Sequence, residues 1–63
     1  MQFNEYLKVC RDNNKLTQEE LVSNLYSYDI DSFGGLDTST LSKWERSATK
    51  PKASKQVSIM KYF

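Results

Sequence analysis

A chain of 63 residues, 38 % apolar and with eight aromatic side chains, has room for one small domain with a modest core and for no large enclosed active site. A lone cysteine, Cys10, and the absence of histidine exclude an internal disulfide, a zinc-finger spacing and a Cys/His nucleophile pair. The net charge of +1 conceals a split: residues 1–42 carry three basic side chains against seven acidic ones, and residues 43–63 carry six basic ones against Glu45 alone. Such a C-terminal half suits either a polyanion or a lysine face turned to water. No apolar run nears the ~20 residues of a membrane span, and the N-terminus lacks the order of a signal peptide. The expectation is a soluble, cytoplasmic protein with no membrane partner.

Phe3, Tyr6, Leu7 and Cys10 recur at helical spacing and predict a first helix over about residues 3–13, broken at Asn13-Asn14. Thr17 with Glu20 three residues later makes a capping box, so a second helix should begin at Gln18, with Leu21, Val22 and Leu25 as its buried stripe. From Tyr26 to Gly35 the helical pattern lapses. Ser27, Asp29, Asp31 and Ser32 alternate with Tyr28, Ile30 and Phe33, and Gly34-Gly35 closes what reads as a loop with some apolar anchoring.

Asp37 is a good N-cap for a third helix running to about Arg46, and its carboxylate suits the positive helix end. At about 100° per residue, Thr38, Ser39, Ser42, Lys43 and Arg46 share an arc of about 140°, while Thr40, Leu41 and Trp44 take the opposite side. Trp44 reads as core filler and Cys10 as a small buried apolar group. After residues 47–50, Pro51 introduces a last helix over about 53–63, its apolar contacts falling to Val57, Ile59, Met60 and Phe63.

The polar arc has two readings, a solvated face or a surface that reads bases. Ser and Thr hydroxyls donate and accept, Lys and Arg pair with guanine or phosphate oxygens, and a Thr methyl can meet that of thymine. Other chemistries fare worse. Glu19 and Glu20 diverge by about 100° on a helix, which is wrong for a catalytic pair. Asp29 and Asp31 lack the third ligand and closing Glu of a calcium loop, and Gly34-Gly35 is too short to cradle phosphate. No enzyme, no metal site and no cofactor is expected.

"LTQEELVSNL" from Leu16 and "GLDTSTLSKWERS" from Gly35, followed by a loop and Pro51, with Arg11 seven residues before Gln18, resemble the helix-turn-helix of the phage repressor and Cro family, the XRE type. The resemblance implies an all-α fold: a small lambda-repressor-like bundle of four or five short helices, here with an enlarged turn, "YSYDIDSFG", residues 26–34. It implies the DNA-reading domain of a transcriptional regulator, a repressor in the type case, with residues 37–46 in the major groove of a pseudo-palindromic double-stranded operator. Thr38, Ser39, Ser42 and Lys43 would face bases, while Gln18, Arg46, Lys50 and Lys52 would hold phosphates. Arg11 and Glu45 would form a structural ion pair. Residues 1–63 would then be the N-terminal fragment of a longer regulator, with a homodimer in the full-length protein or on DNA. The insertion is expected to pack in part, because four large apolar side chains suit water poorly. The competing reading is a protein-interaction module of the same fold, antitoxin-like or regulator-inhibiting, that uses residues 26–34.

Overall fold

The computed structural model describes residues 2–63. Five helices follow one another, α1 (Phe3–Asn13), α2 (Gln18–Tyr28), α3 (Ile30–Phe33), α4 (Thr38–Glu45) and α5 (Ala53–Tyr62), and no strand occurs among the described residues. The architecture is all-helical, with a Cα radius of gyration of 10.3 Å.

Helix starts follow the capping chemistry of the sequence. The Thr17 hydroxyl accepts from the Glu20 N–H at 3.1 Å, and the Glu20 carboxylate accepts from the Thr17 N–H at 2.9 Å. Two backbone donors that would otherwise be orphaned at the start of α2 are thereby satisfied. Asp37 accepts from the Thr40 N–H at 2.8 Å and opens α4 in the same way.

Helix ends use left-handed residues. Beyond α1, Lys15 at φ 56° lets its own N–H reach the Asp12 carbonyl and the Leu16 N–H reach the Arg11 carbonyl. Beyond α4, Ser47 at φ 61° does the same toward Trp44, with Ala48 reaching Lys43. Both are Schellman closures with a side chain where glycine is the usual choice. After α3 the Leu36 N–H closes onto the Phe33 carbonyl, with Gly34 at φ −61°, ψ 125° and Gly35 at φ 87°. That is a type II turn, whose third position demands a positive φ.

The core is Leu7, Leu21, Leu25, Phe33, Leu41, Trp44 and Ile59, with Phe3, Leu16, Val22, Leu36, Tyr62 and Phe63 packed around it. Each fully buried Leu or Phe contributes about 1.5–3 kcal/mol, so a core this small leaves little margin.

Three expectations are corrected. Residues 26–35 are not a loop: α2 runs on to Tyr28, and Asp29, leaving helical geometry at φ −148°, then accepts from the Ser32 N–H to cap the one-turn α3. The fifth helix of the domain is thus made by the insertion. Of its four large side chains only Phe33 is buried, whereas Tyr26, Tyr28 and Ile30 remain half-exposed. On α5 the inward spacing is Ile59, Tyr62 and Phe63, which turns Val57 and Met60 outward. Cys10 is only partly buried.

Candidate nucleic-acid interface

The polar arc of α4 stands on a helix fixed from behind. Leu41 and Trp44 are 0 % and 5 % exposed, so the orientation of the helix about its axis is set by the core. On the outer side Ser39, Lys43 and Arg46 are exposed, and Thr38 and Ser42 are partly so. The loop beyond α4 continues this surface with exposed Lys50 and Lys52, on either side of a buried Pro51 that anchors the loop to the body.

Behind α4 lies a charged knot. Arg11 from α1 donates through Nε to Glu45 Oε2 at 2.6 Å and through Nη2 to Glu45 Oε1 at 3.0 Å, and its Nη1 donates to the Leu16 carbonyl at 2.9 Å. The side chains are 15 % and 6 % exposed. The Arg11 pKa is raised above its ordinary value, chiefly by the hydrogen bond to Glu45 and against the opposing effect of burial. Gln18, the first residue of α2, donates Nε2 to the same Glu45 oxygen at 3.2 Å. One carboxylate therefore ties together α1, the start of α2 and the end of α4.

The knot also shapes the field around α4. Glu45 is the only acid beyond Asp37, and Arg11 neutralises it, so the six basic side chains from Lys43 onward face no free side-chain carboxylate of their own segment. Asp37 is held below the usual carboxylate range, first by the hydrogen bonds from Thr40 and to a lesser degree by the charge of Lys43.

Of the residues singled out from sequence, Thr38, Ser39, Ser42, Lys43 and Arg46 share the outer side of α4, and Lys50 and Lys52 lie on the loop that follows. Gln18 stands apart, with one amide N–H committed to Glu45 and its other N–H and side-chain carbonyl oxygen without a partner among the described residues. Sequence reasoning missed this bond, which needs knowledge of where α2 begins relative to the end of α4. It also missed the link from Ser58 Oγ to Asp29 Oδ2 at 3.4 Å and the edge-on packing of Tyr28 on Tyr62 at 5.5 Å, which fasten α3 and the end of α2 to α5.

No group of His, Cys, Asp or Glu among the described residues could hold a metal ion, and no helix among them is long and apolar enough to cross a membrane. No family model, no curated protein and no solved structure matches the chain.

Proposed function

We propose that this domain binds double-stranded DNA in a sequence-specific manner, with α4 in the major groove, as the DNA-reading part of a transcriptional regulator. One observation carries the reading: a short helix, locked from behind by Trp44 and the Glu45 knot, presents Thr38, Ser39, Ser42 and Lys43 on one side and leads directly into Arg46, Lys50 and Lys52. Small hydroxyl side chains let a helix sit deep in a groove, and Lys43 supplies the point charge that pairs with guanine or phosphate. Arg46, Lys50 and Lys52 would grip the flanking backbone, as would Gln18 with its free N–H and the α2 amino end. The sequence resemblance to the phage repressor and Cro family supports this reading, as does the order capped α2, turn, capped α4. The one-turn α3 then sits inside the turn. A pseudo-palindromic site read by two copies would supply the affinity that one small domain lacks.

An NMR titration with a mixed-sequence duplex tests it. Amide shifts concentrated at Gln18, residues 38–46 and Lys50, fading as salt rises, are the expected result. Amides that stay unmoved by DNA even at low salt would remove the proposal. The protein-interaction reading rests on the half-exposed Tyr26, Tyr28 and Ile30, and it gains ground if those amides alone respond to a partner.

A further inference from the structure

Two patches on this chain complement each other. The first is the corner where α2 meets α3, with Tyr28 and Ile30 at 49 and 56 % exposure. It lies within residues 16–42, which hold five acids and no Lys or Arg, and Asp31 stands exposed beside Ile30. The second is an open groove of about 350 Å³ lined by Phe3 and Tyr6 of α1 and by Gln56 and Met60 of α5. Helix α5 carries Lys55 and Lys61 and no acid, with Lys52 at its cap. Glu5 lies about 100° round α1 from Tyr6, beside the groove and outside its lining.

The patches point away from each other. Tyr62 and Ser58 turn toward the corner, through Tyr28 and Asp29 respectively. Met60 lies about 160° round α5 from Tyr62. One molecule therefore cannot satisfy both patches by itself, whereas a row of molecules can.

We propose that the α2–α3 corner of one copy docks head to tail into the α1–α5 groove of a second copy, with Ile30 entering between Phe3, Tyr6 and Met60 and Asp31 meeting Lys61. Charge favours this arrangement: the corner lies in a segment with five acids and no Lys or Arg, and α5 carries Lys55 and Lys61 and no acid, so a head-to-tail contact brings acid to base. Each patch is a handful of side chains, which places the contact among small, weak interfaces, so association should need a high protein concentration or tethering on a common ligand.

Sedimentation equilibrium on the DNA-free chain tests the contact independently of the DNA reading. The expected result is a weight-average mass that rises from 7.3 kDa with concentration, passes the dimer value because the contact does not close, and falls back with salt. Ile30→Asp and Met60→Glu should each remain monomeric. Their equimolar mixture should form pairs and stop at two, since one intact corner and one intact groove remain. Far-UV circular dichroism checks folding, and if either variant is unfolded, Asp31→Lys and Lys61→Glu replace them: each alone should remain monomeric, and their equimolar mixture should grow past two, because the exchanged charges meet as opposites at every contact. A wild-type chain that stays at 7.3 kDa throughout overturns the proposal. So does association abolished by Met60→Glu and untouched by Ile30→Asp, which would mark a two-fold contact through α5.

Discussion

Arg11 and Glu45 lie 34 positions apart in sequence and are joined by two parallel hydrogen bonds of 2.6 and 3.0 Å, with the Glu45 side chain 6 % exposed. A planar guanidinium on a carboxylate is the strongest polar arrangement available to two side chains, and here it spans the first and fourth helices. Its importance lies in what each partner would become alone.

Glu45→Ala strands a largely buried guanidinium and also releases Gln18. The expected cost is about 3 kcal/mol, near the lower end for breaking a buried pair. A chain of this length has a total stability of about 3–9 kcal/mol, so the variant should be partly or wholly unfolded at 37 °C. The proposed DNA binding would be lost with the fold. A urea or thermal melting curve superimposable on the wild type would refute this.

Lys43→Ala and Lys50→Ala should fail in different ways if α4 reads bases. Loss of a base contact at Lys43 should cost about 1–3 kcal/mol on the preferred duplex and relax the choice of base there. Loss of a phosphate contact at Lys50 should weaken all duplexes alike and reduce the slope of log K against log salt by about 0.9. Fluorescence anisotropy on two unrelated duplexes at three salt concentrations separates them, and equal behaviour of the two variants would count against the assignment of roles.

Lys15 and Ser47 occupy left-handed backbone, which costs an L-residue about 1–2 kcal/mol relative to its preferred region. Glycine relieves that strain but adds freedom to the unfolded chain, so Lys15→Gly and Ser47→Gly should each stabilise by about 0.5 kcal/mol. Gly35→Ala should act in the opposite direction, because the added methyl meets open space and only the φ of 87° resists it. For a domain of this size 1 kcal/mol moves the melting temperature by about 4–8 °C, so calorimetry resolves the signs.

Asp29 and Asp37 are both held below the ordinary carboxylate range by hydrogen bonds from the helices they cap, Asp29 chiefly through Ser32 and Asp37 chiefly through Thr40. A carboxylate whose folded pKa is depressed favours folding fully above its unfolded pKa of about 3.9 and loses that contribution as pH falls through the lower folded value. Stability should therefore be insensitive to these groups from about pH 5 to 7 and drop below about pH 4. Asp37→Asn keeps a good capping oxygen and removes the titration. Its urea midpoint should fall less steeply than the wild type's between pH 5 and 3, and parallel curves would remove Asp37 as a source of acid sensitivity.

Helix starts and most of the core were legible from the sequence because their causes are local. Thr17 with Glu20, Asp37 with Thr40, and the stripes through Leu7, Leu21, Leu25, Leu41 and Trp44 each follow from spacing within one or two turns. The segment from Tyr26 on misled for the same reason. Its alternating pattern looks non-helical, yet α2 continues three residues further, through Tyr28, because helix propensity among Tyr and Ser is only mildly unfavourable, and Asp29 can cap a new turn at once. The outward turn of Val57 and Met60 could not be read locally, since Val57, Ile59, Met60 and Phe63 do not all fit one side of a helix, and the body of the domain chooses which are buried. Within the candidate interface, the side of α4 that carries Ser39 and Lys43 was readable. The hold of Glu45 on Gln18 was not, because it depends on how two helices meet.

Phe33 is the fully buried anchor of the segment between α2 and α4, and this divides the domain into parts that tolerate change differently. Exchanges at Tyr26 or Ile30 touch half-exposed side chains and break no cap, so they should alter stability by a few tenths of a kcal/mol, as surface substitutions usually do. Loss of Phe33, 1 % exposed, would open a hole at the centre of a seven-residue core. The corner is thus a place where a lineage could sample new neighbours one residue at a time, while the machinery behind α4 stays untouched.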